Sequence, residues 1–257
     1  MKNKVFSFSG EKGFKNIKKP IVFIHGTGMD HSVWTLPTRY FLRKDRTVIS
    51  VDLPGHGRSK GPVLNSISEL SHWLIDYLDS LGVNEFSIVG HSMGSLIALE
   101  TSAMVPDRSL HLVMVGTAFP MNVSEQLLEA AKNNEQTAID ILTYFGYSYS
   151  ARIGSNSNPG MWMIENTKRL LEKSQKDVIY SDLKACSNYS DGLLSAKKVE
   201  GEVMFILGEN DFLTPAYKAK DLISSFKNPI VKNVRHSGHT LLMEKPNEVL
   251  DYLIEIL

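Results

Sequence analysis

Gly90-His91-Ser92-Met93-Gly94 sets a serine between two glycines, after a β-like apolar run at 86–89 and before a helix-like run at 95–105. Gly-x-Ser-x-Gly at a strand-to-helix turn holds its serine in a strained backbone conformation with the hydroxyl projecting outward. The glycines flank it because a side chain there would collide across the tight crossing. The helix start adds a free backbone N–H, that of Met93, aimed at the same spot. A serine hydroxyl is a poor nucleophile until a base takes its proton, and that base must be held in one tautomer. An acid and then a histidine are expected further along the chain. Asp211 follows an apolar run at 203–207, in Gly208-Glu209-Asn210-Asp211-Phe212-Leu213-Thr214-Pro215. It is preferred over Glu209 because it lies deeper in the loop, just before the next helix. After the last strand come Arg235-His236-Ser237-Gly238-His239-Thr240. His239 is preferred over His236, since Gly238 lets the loop turn and an apolar run follows.

Acyl-transfer chemistry at Ser92 also needs two preorganised N–H donors for an oxyanion. Met93 supplies one. The second is expected from His25-Gly26-Thr27-Gly28-Met29, after the strand-like run 21–24, with Thr27 first and Gly28 as the alternative. Both act through the backbone.

The surrounding pattern alternates short β-branched runs with helix-period segments. Strands are expected at 5–8, 21–24, 47–51, 86–89, 110–115, 203–207 and 230–234. Helices are expected at 35–43, 66–81, 95–105, 215–226 and 246–257. This order implies a mostly parallel, doubly wound α/β sheet covered on both faces, with its ligand site beyond the carboxyl ends of the strands. The stretch 118–200 breaks the rhythm. It holds helix-like segments (124–132, 136–144, 165–174, 178–185) and no clear strand. It reads as a helical cap inserted between core segments 1–117 and 201–257. In the cap, Tyr144, Phe145, Tyr147, Tyr149, Met161, Trp162 and Met163 are expected either to line an apolar acyl pocket suited to medium-length chains or to pack between the cap helices, with Tyr144, Tyr147, Met161 and Trp162 joined by Gly28 of the core as the substrate-binding candidates. The Asn/Ser/Gly-rich loop 154–160 is expected to be its least ordered part.

At 257 residues, with 28 basic and 28 acidic side chains, the chain has no basic excess to neutralise phosphates, which argues against nucleic acid or an anionic membrane as partner. A single cysteine, Cys186, cannot form an internal disulfide and reads as a small buried residue. No segment has signal-peptide or membrane-spanning length, so a cytoplasmic monomer or homodimer is expected. His236 and His239 lack a companion carboxylate or cysteine at ligand spacing, so no metal is expected. Gly55-His56-Gly57 lacks the third glycine and the later acid of a dinucleotide site, so no nucleotide cofactor is expected either. His25 is expected to brace the 26–28 loop, and Asp30 and His31 to belong to a solvated loop.

With these residues in place, the whole chain resembles the α/β-hydrolase superfamily, in its single-domain capped form. The matching stretches are His25-Gly26-Thr27-Gly28 with Trp34, Val51-Asp52-Leu53-Pro54-Gly55-His56-Gly57-Arg58-Ser59, 90–94, 208–215 and Gly238-His239. The resemblance implies a serine nucleophile and rules against the members that carry aspartate at position 92. It makes 52–59 a scaffold loop, with His56 and Arg58 in structural roles. It implies a cofactor-free serine esterase acting on a small-molecule ester through a Ser92-His239-Asp211 triad. The superfamily's other activities (carbon–carbon bond hydrolysis, lactone hydrolysis, perhydrolysis, small-molecule reception) are the alternatives.

Overall fold

The computed structural model describes residues 5–10, 13, 17–154 and 161–257. Residues 155–160, most of the loop expected to be least ordered, lie outside them. Seven strands form one sheet: β1 (Ser7–Phe8), β2 (Ile21–Ile24), β3 (Val48–Val51), β4 (Phe86–His91), β5 (Ser109–Val115), β6 (Glu202–Gly208) and β7 (Ile230–Val234), in the order β1-β3-β2-β4-β5-β6-β7. Only β1 runs antiparallel, and it is half the length expected from its alternating pattern. The remaining pairs are parallel, as β-branched runs buried on both faces require.

The period-2 alternation divides each strand between two cores. Val22, Ile24, Ile88, Leu112, Met114 and Phe205 face one side. There they meet α2 (Ile67–Ser80) and α3 (Met93–Met104). Phe23, Val89, Val113, Val115, Met204 and Ile206 face the other. That side is closed by α1 (Thr35–Arg43) and α12 (Pro246–Ile256). α2 is amphipathic and starts at a Ser66 cap whose side chain accepts from the Glu69 N–H. α3 is buried nearly all round, which is why its sequence has so weak a polar face.

Between β5 and β6 the regular elements among the described residues are all helices: α4 (Glu125–Lys132), α5 (Gln136–Gly146), α6 (Tyr149–Arg152), α7 (Met163–Glu172), α8 (Val178–Asn188) and α9 (Gly192–Ala196). They have their own small core of Leu127, Ala130, Ala131, Ala138 and Leu183, and Cys186 and Ala196 pack onto the main core. After β6 the expected helix at 215–226 is broken into a 3-10 turn, Ala216–Ala219, and a short α10 (Lys220–Ser224). A four-residue α11 (Leu241–Glu244) precedes α12. No helix among the described residues is long and apolar enough to cross a membrane.

Candidate active site

Strand β4 delivers Ser92 directly into the start of α3. Its backbone sits at φ 55°, ψ −122°, a region that costs of order 1–3 kcal/mol for a residue with a side chain. The crossing that forces it is tight. A Cβ on Gly90 would collide with the Gly94 carbonyl, and one on Gly94 would lie 2.5 Å from the carbonyl oxygens of Ile24 and His25. Only glycine fits either position. The Ser92 N–H donates to the Val115 carbonyl (2.9 Å), pinning the turn to β5.

His239 lies in the loop after β7, and Asp211 in the loop after β6. His239 Nδ1 donates to Asp211 Oδ2 at 2.8 Å, with both side chains buried. The Thr214 hydroxyl donates to the same oxygen (2.7 Å) and stands 3.0 Å from His239 Nδ1. The Leu213 and Thr214 N–H groups donate to Oδ1 at 2.9 and 2.8 Å. Burial pushes the Asp211 carboxyl up, but the facing His239 ring and the hydrogen bonds from His239 and Thr214 outweigh it and hold the group below its usual range. Because Nδ1 carries a proton toward Asp211, Nε2 of neutral His239 is the basic nitrogen. The competing pair is elsewhere: Glu209 and His236 are exposed and meet each other, His236 N–H donating to Glu209 Oε2 at 2.8 Å.

Two buried histidines frame this set. His25 Nδ1 donates to the Gly26 carbonyl (2.9 Å) and Nε2 accepts from the Leu53 N–H (3.1 Å), bracing the loop as expected. Burial, aided by neighbouring His56, lowers its pKa to about 4. His91 Nε2 donates to the His239 carbonyl at 2.9 Å and so helps seat that residue. Burial and the neighbouring His239 lower its pKa to about 3. Sequence reasoning passed over His91, although its place beside Ser92 at the end of an apolar strand was a usable signal.

Of the two backbone donors weighed for the loop after β2, Gly28 is taken: its N–H donates to Asp182 Oδ2 at 2.8 Å. The Thr27 and Met93 N–H groups have no acceptor among the described residues.

Ser92, His91, His239, Thr214 and Thr27 line a cavity of about 560 Å³. Its wall is largely apolar: Met29, Met121, Leu127, Ile141, Leu142, Phe145, Leu171, Leu183, Phe212 and Leu213, with Cys186 also on it. Burial raises the Cys186 thiol well above its ordinary pKa, so it is inert there. Of the residues expected from the cap, Phe145 lines the cavity, and Tyr144, Tyr147, Tyr149, Met161, Trp162 and Met163 do not. Tyr147 is wholly buried, its hydroxyl donating to the Met163 carbonyl at 2.9 Å and meeting Thr167 Oγ1 at 2.6 Å. Tyr144 (58% exposed), Met161 (46%) and Trp162 (71%) face outward, Tyr144 beneath the Arg152 guanidinium at 4.2 Å. Gly28 packs against Ile179 and Leu171. Much of the wall comes instead from the apolar faces of the cap helices, with Leu127 on α4, Ile141, Leu142 and Phe145 on α5, Leu171 on α7 and Leu183 on α8, so helix periodicity was a better signal than aromatic content.

A profile of the Alpha/beta hydrolase family matches residues 21–252. The chain belongs to that family. It is similar to an (E)-2-((N-methylformamido)methylene)succinate hydrolase of Acinetobacter baylyi, 26% identical over 92% of this chain and 90% of that one. It is likewise similar to a pimeloyl-(acyl-carrier protein) methyl ester esterase of Nitrosomonas europaea, 25% identical over 89% of this chain and 91% of that one. An esterase from Exiguobacterium antarcticum shares the fold at a TM-score of 0.83 and 15% identity, over 98% of this chain and 93% of that one.

Proposed function

We propose that the protein is a serine hydrolase cleaving carboxylic esters with small to medium apolar acyl groups. The observation that carries the reading is the buried 2.8 Å contact between Asp211 and His239, at the wall of the apolar cavity into which the strained Ser92 opens. Ser92 attacks the ester carbonyl as His239 Nε2 takes its proton. Asp211 keeps the ring in the Nδ1–H tautomer and stabilises the imidazolium. The free N–H groups of Thr27 and Met93 hold the tetrahedral oxyanion. His239 then protonates the departing alcohol, and a water that it activates releases the acid from Ser92. No cofactor takes part in these steps. Among the relatives, the esterase from Nitrosomonas supports ester chemistry on this fold, and a cavity of this size accommodates an acyl chain of several carbons.

The test is hydrolysis of p-nitrophenyl esters from acetyl to dodecanoyl by the wild type and by Ser92→Ala. We expect a rate optimum between butyryl and octanoyl, and a loss of about 10⁴-fold or more in kcat/KM for the variant. Turnover of esters that persists in Ser92→Ala would refute the nucleophile. A folded wild type inert toward every ester would refute the substrate class and leave carbon–carbon or lactone hydrolysis on the same residues.

A further inference from the structure

Helix α8 lays one carboxylate onto the core at a sensitive place. Asp182 is fully buried. Its Oδ2 accepts from the Gly28 N–H at 2.8 Å and from His56 Nε2 at 2.9 Å. His56 Nδ1 in turn donates to the Pro54 carbonyl at 3.0 Å. Both ring nitrogens of His56 therefore face only acceptors, which makes the ring an imidazolium and the contact a buried ion pair. Burial opposes the charge on His56, but the Asp182 carboxylate and the hydrogen bonds to Asp182 and Pro54 raise its pKa above the ordinary value.

Such a pair is a poor device for stability alone, because desolvating two charges offsets most of their attraction. Asp182 Oδ1 is moreover buried without a partner. The pair's position suggests another use. Thr27 lies between two fixed points: His25, held by Gly26 and Leu53, and Gly28, held by Asp182. A local bond from the Met29 N–H to the Gly26 carbonyl (3.2 Å) closes the turn, and the Gly28 N–H alone ties it to an acceptor 154 residues away. A donor misplaced by a fraction of an ångström loses much of its value to a developing oxyanion.

We propose that Asp182, charge-paired with His56, is a positioning residue: it fixes the Gly28 peptide so that the Thr27 N–H is aimed at the oxyanion. Seating of α8 on the core thereby becomes a condition for transition-state stabilisation. The inference rests on the reading of Ser92 as nucleophile and Thr27 as oxyanion donor, but not on the ester being the substrate.

The experiment uses Asp182→Ala and Asp182→Asn in the full chain, with four readouts: the rate of Ser92 phosphonylation by an alkyl fluorophosphonate, kcat and KM on p-nitrophenyl butyrate, the affinities of a trifluoromethyl ketone and its methyl ketone counterpart, and thermal unfolding. Phosphonylation draws on Ser92, His239 and the oxyanion donors without needing a good substrate. We expect Asp182→Ala to lower phosphonylation and kcat together by about 10- to 100-fold, with KM within about threefold of wild type. The affinity for the trifluoromethyl ketone, which binds as a tetrahedral adduct, should fall in proportion, while that for the methyl ketone holds. Asp182→Asn should lie between, because its amide oxygen still accepts from Gly28. Wild-type phosphonylation in both variants would overturn the inference. So would an equal loss of methyl ketone affinity together with the unfolding temperature, which is what a merely structural role gives. If Asp182→Ala does not fold, Asp182→Asn decides on the same ratios. A wild type phosphonylated on Ser92 yet inert toward esters overturns the ester reading alone, and the phosphonylation ratio still tests Asp182. A wild type that is not phosphonylated overturns both.

Discussion

Each oxygen of the Asp211 carboxylate accepts two hydrogen bonds, two from backbone N–H groups and two from the Thr214 hydroxyl and His239. All four lone-pair sites are thus used, and the carboxylate has no freedom to rotate away from the ring. Thr214 is the removable member. In Thr214→Val, burial still pushes the Asp211 carboxyl up while one opposing hydrogen bond is lost, so its depressed pKa moves back toward the ordinary range. With the carboxylate less firmly held on the ring, kcat/KM should fall by about tenfold at neutral pH. Measuring both enzymes on one ester reads this directly, and equal values would show that the hydroxyl contributes nothing. At this scale the sequence was legible where chemistry constrains residue type. The pairing of Asp211 with His239 and the strained turn at Ser92 could be anticipated because loop position and turn residues leave few candidates. The contacts of Thr214, His91 and Asp182 were missed because they depend on atoms distant in sequence.

Among elements, the short α11 has a larger part than its length suggests. Glu244, at its end, is buried and accepts from the Gly238 N–H (2.9 Å), the Ser148 N–H (3.2 Å) and the Ser148 hydroxyl (2.5 Å). It thereby ties the loop carrying His239 to the start of α6. Thr240 adds a bond from its N–H to the Gly146 carbonyl, at the end of α5. Removing the carboxylate strands several buried donors, each costing about 1–3 kcal/mol when left unpaired. Glu244→Ala should therefore lower the unfolding free energy by about 2 kcal/mol or more, and Glu244→Gln by less, since its amide oxygen still accepts. Urea unfolding of the three proteins would settle it; an unchanged midpoint in Glu244→Ala sinks the argument. The sequence concealed this tether for a physical reason. Strands and long amphipathic helices announce themselves through periodicity, and β2 to β7, α2 and α12 were legible in that way. The four- and five-residue helices α6, α9, α10 and α11 have too few turns to show a period. They form because tertiary contacts such as Glu244 to Ser148 hold them.

Across the molecule, three buried histidines are held in fixed protonation states, two neutral and one charged, and the sign of each can be worked out. His25 and His91 are neutral in the folded protein, with pKa values lowered by burial to about 4 and about 3. Geometry agrees: His25 Nε2 already accepts from Leu53, and His91 Nδ1 is buried with no partner, so a second proton finds no acceptor on either ring. In the unfolded chain both titrate near pH 6.5. Between that pH and about 4 the unfolded state binds two protons that the folded state refuses, and stability falls as pH falls. The slope approaches about 2.7 kcal/mol per pH unit, two protons' worth. His56 has the opposite sign. Its folded pKa is raised, with Asp182 and Asp52 supporting the charge and His25, 5.0 Å away ring to ring, neutral beside it. Below pH 6.5 it is protonated in both states and contributes no slope; as pH rises above that, its stabilisation is lost progressively through the folded pKa. The outcome expected is a stability maximum near pH 6.5, steep on the acid side and shallower on the alkaline side. Urea unfolding at half-unit steps from pH 4.5 to 8.5 measures both limbs, and Asp182→Asn should remove the alkaline one while leaving the acid one in place. A free energy flat from pH 7 to pH 5 would mean that His25 and His91 accept protons in the folded state, and the tautomers assigned to both rings would then be wrong.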